Sequence, residues 1–274
     1  MSRNRHACAG RSPYHLTAEQ IQSFDEHGFI VLRRWIPQDL LHRVQDAATA
    51  WIRDGWSFAK DDPRRQDIRF ADRAGERVMF KVNYVHDKGR AASLELLGSP
   101  YVLGVAESLC GPNFMLTYES MVFKQQGDGE TIPWHQDAVH PRRYRIFNFD
   151  LYLDHSRAGS GALRVVPGSQ RRKHDVCEVA ERYGWEVPDV IQVEMEPGDV
   201  LLHDVMVLHG SERTQGNNLR RTIYYEFRAV EEILAEGLRD RAWIDRRLRL
   251  LPVALRRYRE RFPMTTQFDW GGRS

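Results

Sequence analysis

Cysteine is scarce in this 274-residue chain, and what there is does not pair. Cys8, Cys110 and Cys177 are odd in number, far apart and never in C-x-x-C spacing, which excludes a disulfide framework and a thiolate zinc site. They read as incidental or buried thiols in a reducing compartment, so the expected location is cytoplasmic. No apolar run approaches the roughly 20 residues of a membrane span. Residues 1–20 hold no apolar stretch of the kind a secretory leader carries, so neither insertion nor export is expected. An excess of one charge is also missing. Forty Lys+Arg against 38 Asp+Glu give a net charge of +2, where a nucleic-acid binder would show a clear basic surplus. Internal repeats and low-complexity linkers are absent as well. What is present, 42% hydrophobic and 28% charged residues, is the profile of a folded globular protein. The positive charge is nearly all arginine, with lysine only at 60, 81, 88, 124 and 173.

Along the chain, residues 1–16 read as a loose tail. Thr17 then caps a helix, with Gln20 in capping-box spacing and Gly28 at its end. Phe29–Leu32 is a short strand. Leu40, Leu41, Val44, Ala47 and Trp51 recur at the period of an amphipathic helix. Lys60 to Glu76 is charged without an apolar period and reads as a surface loop, of the composition from which mobile lids are drawn. From about Val78 short strands take over: 79–84, 115–123, 145–153, 163–166, 190–194, 200–202 and 222–228 are rich in β-branched, aromatic and aliphatic residues. Turns such as Gly127-Asp128-Gly129, Pro167-Gly168-Ser169 and Pro197-Gly198-Asp199 separate them. One helix intervenes, with Ser99 as its expected cap and Pro100 in its first turn. Strands at this spacing suggest a jelly roll or barrel, mainly β with flanking helices. Beyond Glu231 the chain turns helical and basic through Arg239, Arg241, Arg246, Arg247, Arg249, Arg256 and Arg257. That is a solvated basic face or a surface for an acidic partner. The organisation is one domain over 1–274: the tail, helices and a loop over 17–75, the β core over 76–228, and a helical extension over 229–274.

The chemistry concentrates in Trp134-His135-Gln136-Asp137. In a strand His135 and Asp137 point the same way. They offer an imidazole and a carboxylate to one divalent metal, with a third ligand completing a two-histidine, one-carboxylate set that keeps coordination positions open. An H-x-D alone is weak, since surface His and Asp are common. Downstream, His209 closes an apolar run just before Gly210-Ser211, a place suited to a ligand at a barrel mouth. His203 competes, but its neighbour Asp204 offers it a hydrogen bond, so it reads as structural. If the last strand alternates, Arg220, Thr222 and Tyr224 share one face, and an inward arginine needs an anion such as a ligand carboxylate. Arg221, on the other face, reads as a surface arginine.

The order H-x-D, Pro-Gly-Asp, His-Gly-Ser, Arg-x-Thr resembles the iron(II)/2-oxoglutarate oxygenases, and among them the phytanoyl-CoA dioxygenase family. Supporting segments are Leu16–Gln20, Glu26–Leu32, Gly111-Pro112-Asn113, Gly161–Ser169 and Pro197–Val200. The resemblance runs from about residue 16 to about 228 and leaves the basic C-terminal part uncovered. It implies a double-stranded β-helix (jelly-roll, cupin-like) core. Iron(II) would be held by His135, Asp137 and His209, and 2-oxoglutarate by Arg220 and Thr222, with Gln136, Ser211 and Lys81 as further contacts and O2 as the third reactant. Where the family often has a bulky apolar or aromatic residue this chain has Asp150, implying a more polar pocket.

The resemblance further implies hydroxylation, or a related desaturation or cyclisation, of an unactivated C–H bond, with succinate and CO2 as co-products. Halogenation is not implied, because halogenating relatives replace the carboxylate that Asp137 retains. Candidate substrate contacts by strand parity are Asn83, Tyr118, Ser120, Asp150 and Tyr152. They suit a small polar or amphipathic metabolite, as in secondary metabolism, while arginine-rich loops leave a CoA ester open. A monomer or homodimer without nucleic-acid or membrane partners is expected. The rivals are a cupin-like metal-binding or hydrolytic module that does not use 2-oxoglutarate, and an interaction protein built on the basic C-terminal helices.

Overall fold

The computed structural model describes residues 12–59, 61–73, 75–124, 131–139, 142–214 and 219–271. Cys8, Lys60, most of the N-terminal tail and the Gly127-Asp128-Gly129 turn lie outside them.

Helix α1 (Ala18–His27) opens with the expected capping box, Thr17 and Gln20 bonding reciprocally, and ends at Gly28 with φ 81°, a left-handed conformation that glycine adopts without Cβ strain. Strand β1 (Phe29–Leu32) and helix α2 (Gln38–Ser57) follow, and α2 buries Leu40, Leu41, Val44, Ala47 and Trp51.

The charged stretch after α2 is not a loop. A 3-10 turn (Pro63–Asp67) leads into strand β2 (Ile68–Arg73), which pairs with β3 (Glu76–Asn83). A bulge between Arg69 and Phe70 breaks the alternation that would have marked the strand. Phe70 is covered by the guanidinium groups of Arg65 and Arg77, 4.8 and 4.6 Å from its ring, so charged residues mask an apolar element. Helices α3 (Ala91–Leu97) and α4 (Pro100–Cys110) come next. Gly98 between them lies so close to the C-terminal helices that a Cβ would come within 2.1 Å of the Ala254 carbonyl oxygen. Ser99 does not cap α4 through its side chain; its hydroxyl donates back to the Leu96 carbonyl.

The strands β4 (Phe114–Lys124), β5 (Ile132–His135), β6 (Phe147–Tyr152) and β7 (Leu163–Val166) precede helix α5 (Val176–Tyr183). Strands β8 (Ile191–Val193), β9 (Val200–Asp204), β10 (Leu208–Ser211) and β11 (Arg220–Ala229) complete the sheets. Among the described residues they form two antiparallel sheets, a seven-stranded one in the order β1-β9-β6-β11-β4-β3-β2 and a four-stranded one in the order β5-β10-β7-β8. The sheets face each other through Tyr152 and Leu201 on one side and Leu163, Val165 and Val193 on the other, the jelly-roll arrangement expected. The outer face of the large sheet packs Phe147, Phe149, Leu151 and Phe227 against α1 to α4, so β6 is buried on both faces. Beyond the barrel lie α6 (Val230–Glu236), α7 (Arg241–Leu248) and α8 (Leu250–Arg261). No helix among the described residues is long and apolar enough to cross a membrane.

The basic C-terminal part is three helices, and not all of its arginines are solvated. Arg247 on α7 reaches the Leu116 carbonyl and pairs with Glu119, whose residue is 1% exposed. Removing one partner of a buried pair strands the other charge, at a cost of about 3–5 kcal/mol. Arg247→Ala should therefore lose that much unfolding free energy in urea titrations, while the exposed Arg246→Ala should stay within about 0.5 kcal/mol of the parent. Equal effects of the two would show that the Glu119 contact does not anchor α7.

Candidate metal centre

Strand register brings two histidines together. His135, the last residue of β5, lies directly opposite His209 on β10, with ring centroids 4.1 Å apart. Asp137 is not in the strand as its spacing implied; β5 ends at His135 and Asp137 sits in the turn beyond. The turn is held by the Ala138 amide donating to the Val205 carbonyl at 3.2 Å, and it brings an Asp137 carboxylate oxygen 3.4 Å from His135 Nε2 and 3.9 Å from His209 Nε2. One ligand atom from each of the three lies within 4.8 Å of the others.

The ring nitrogens are already sorted. His135 Nδ1 is 2.8 Å from the Pro133 carbonyl and His209 Nδ1 is 2.9 Å from that of Val207. A carbonyl only accepts, so each Nδ1 carries the proton and, in the neutral ring, each Nε2 keeps its lone pair. Burial pulls His209 down to about 3, leaving it neutral and able to offer its Nε2 lone pair. Burial alone would raise Asp137, but His209, His135 and His203 around it hold its carboxyl well below the usual carboxylate range. Burial also works against charge on His135, yet Asp137 beside it keeps that imidazole above its ordinary value. His209 is buried, whereas the side chains of His135 and Asp137 stay about one third exposed, which leaves the cluster open on one side. Two nitrogen donors and one anionic oxygen with an open side fit a divalent iron site.

Directly opposed residues on neighbouring strands share a face, and the register of the large sheet lines up the remaining candidates. One row runs Lys81, Val122, Thr222, Tyr152; the next Asn83, Ser120, Tyr224, Asp150, Leu201; a third Tyr118, Glu226, Asn148, His203. Tyr152 and Leu201 place this face toward the small sheet, so the residues chosen by parity do share the barrel interior. Tyr118 donates to Asn83 Oδ1 at 2.5 Å, and Lys81 Nζ lies 5.1 Å from the Tyr118 ring centre. Arg220 is 3% exposed and donates from Nη1 to the Gly161 carbonyl. Its Nε, Thr222 Oγ1, Tyr152 Oη and Ser120 Oγ are buried without a hydrogen-bond partner among the described residues. Natural interiors leave few such atoms, and all four lie on the face turned toward the small sheet.

Several sequence-based assignments change. The partner of His203 is Asp150, 3.0 Å away, not Asp204. Asp204 faces the opposite way, pairs with Arg142 and accepts from the Met206 amide. Burial pushes Asp150 up to about 6 against the pull of His203, and Asp150 in turn overrides burial to hold His203 at about 9. Arg221 is not a surface residue: it is buried, bonded through Nε and Nη2 to Asp154 at 2.8 Å and through Nη1 to Thr49 at 2.7 Å. The Gln136 amide is engaged by backbone, donating to the Arg172 and Met206 carbonyls and accepting from the His174 amide. Two residues went unnoticed in the sequence. Lys124, opposite Arg220 in the register, donates to Ser211 Oγ at 2.9 Å and to the Glu212 carbonyl. Asn148 donates to Asp137 Oδ2 at 2.7 Å. The rarity of lysine in this chain was the one available signal for the first.

A family profile described as phytanoyl-CoA dioxygenase (PhyH) matches residues 24–222. The chain belongs to the phytanoyl-CoA dioxygenase family. Among curated relatives, the 2-aminoethylphosphonate dioxygenase of the uncultured bacterium HF130_AEPn_1 is 23% identical over 231 residues, 80% of this chain and 84% of that protein. Among solved structures, EvdMO1 matches with TM-score 0.67 and 27% identity over 77% of this chain; the match spans 49%, about half, of the EvdMO1 chain. EctD from S. alaskensis, solved with 2-oxoglutarate and 5-hydroxyectoine, matches with TM-score 0.65 and 22% identity over 79% of this chain and 77% of its own, a likeness of fold. As a member of the phytanoyl-CoA dioxygenase family, the chain is a non-haem dioxygenase, an oxidoreductase with a jelly-roll core.

Proposed function

We propose that His135, Asp137 and His209 hold iron(II), that Arg220 seats the distal carboxylate of 2-oxoglutarate, and that the enzyme oxidises an unactivated C–H bond of a small polar or amphipathic molecule. The carrying observation is the convergence of two backbone-oriented imidazoles and one carboxylate oxygen within 4.8 Å. When bound, iron(II) with 2-oxoglutarate and O2 supplies the oxidising power, and succinate and CO2 leave as co-products.

The chain's own residues bind, orient and exclude water. Arg220 presents a buried guanidinium to a carboxylate, with Thr222 Oγ1 two residues on along the same face. Lys124, bonded to Ser211, adds a second cation beside it. Gln136 ties the turn that carries Asp137 to the β9–β10 connection and to residues 172–174, a bracing role that leaves co-substrate contact to the cations. Asn83, Tyr118, Ser120, Asp150 and Tyr152 share the face turned to the small sheet and would meet the substrate there; paired with His203, Asp150 gives that face a polar character that suits a hydrogen-bonding substrate better than a fatty chain. A substrate screen reading stimulated succinate release would name the molecule. We further place the enzyme in the cytoplasm, acting as a monomer or homodimer.

The rival metal-binding module would keep the same three ligands but has no use for a buried inward Arg220. Adding iron(II) and 2-oxoglutarate to the protein without oxygen separates the two. A weak visible charge-transfer band should appear only with both present, and should vanish in His209→Ala. A colourless mixture from protein that binds iron would favour the module.

A further inference from the structure

Asp137 is the least constrained of the three ligands. It lies in a turn outside the β5 ladder, its side chain is 31% exposed, and the backbone does not dictate which of its oxygens faces the imidazoles. Asn148 supplies that constraint. It sits near the start of β6, a strand buried on both faces, between Glu226 of β11 and His203 of β9. Its neighbours Phe147 and Phe149 are locked in the core on the opposite face. A side chain on such a strand cannot drift without repacking both layers, and its amide nitrogen is 2.7 Å from Asp137 Oδ2.

We infer that Asn148 is a positioning residue for the metal: by occupying Oδ2 it leaves Oδ1 as the one carboxylate oxygen turned to His135 and His209. The inference rests on the metal-centre reading above. The choice of amide follows from electrostatics. A lysine or arginine there would neutralise the carboxylate on which a dication depends, whereas a neutral donor fixes the rotation and leaves the charge. With Oδ2 held, Asp137 offers one oxygen rather than two, which keeps a coordination position for co-substrate or O2.

Cobalt(II), which binds such sites with a visible ligand-field spectrum and does not react with oxygen on the time scale of a titration, provides a readout apart from turnover. Titrating it into wild type, Asp137→Ala, Asn148→Ala and Asn148→Leu should give binding in wild type and its loss in Asp137→Ala. Both Asn148 variants should bind about 10–100-fold more weakly, the usual effect of removing a ligand's outer partner, with altered bands. A purely structural role would lower the melting temperature of the metal-free protein while leaving affinity and band positions unchanged. Asn148→Leu keeps the side-chain volume and carries the test if the alanine variant does not fold. Wild-type affinity and bands in a folded Asn148 variant would overturn the assignment of Asn148 alone. Failure of wild type to bind cobalt, or binding that survives Asp137→Ala, would overturn the metal centre itself.

Discussion

Asp137→Ala should abolish succinate formation. The substitution removes the one anionic donor of the cluster and leaves two imidazoles, one of them buried and held neutral, to bind a dication without counter-charge. Losing an outer partner of a metal ligand already costs about 10–100-fold, so losing the carboxylate itself should take 2-oxoglutarate turnover down by at least about 100-fold at saturating iron. The fold should survive. The substitution opens no cavity in either core, because the side chain is partly exposed in a turn; it deprives the Asn148 amide of its acceptor and His135 of the carboxylate beside it. An unsatisfied buried donor costs about 1–3 kcal/mol, visible as a modest fall in melting temperature and too small to unfold the enzyme. Succinate release coupled to product, measured beside a melt of the same preparation, decides the matter. Normal coupled turnover in a folded Asp137→Ala variant would remove Asp137 from the ligand set and with it the reading of the site.

Alternation along a strand proved a good guide to faces and a poor one to neighbours. It put Arg220 and Thr222 on one face and Arg221 on the other, and the register agrees. Equating that other face with solvent was the error, since helices cover it and Arg221 is locked to Asp154 and Thr49 there. The same limit explains His203. Adjacent residues on a strand point apart, so Asp204 could not serve it; its partner Asp150 lies on β6, and nothing local announces that β6 and β9 are hydrogen-bonded neighbours. Asn148 and Lys124 were hidden for that reason, each gaining its role only across strands. Strand β2 escaped differently, because a bulge at Arg69 and Phe70 and arginines laid over the Phe70 ring erase the apolar period. The capping box of α1, by contrast, is settled within four residues and was fully legible.

Arg220→Ala should raise the KM for 2-oxoglutarate far more than it lowers kcat. Arg220 is 3% exposed, lies on the face of β11 that is turned to the small sheet and makes its one hydrogen bond among the described residues to the Gly161 carbonyl, with Nε unbonded. A charge-assisted bond to a buried carboxylate contributes about 1.5–3 kcal/mol, which corresponds to roughly ten- to hundredfold in KM. Saturating keto acid should restore most of the rate, because the loss falls on binding and not on the metal ligands. Arg220→Lys should fall between, keeping the charge but losing the planar fork. Arg221→Ala serves as the contrast: facing the helices and paired with Asp154, it should lower unfolding free energy and leave the KM alone. Lys124 is the group that can blunt the effect, since it stands opposite Arg220 in the register and already holds Ser211. An unmoved KM in Arg220→Ala that rises in Lys124→Ala would transfer the anchor to the lysine. An unmoved KM in both, with the double variant also unchanged, would mean that no dicarboxylic acid is seated at this end of the barrel, and the metal-binding module would then be the better account of the fold.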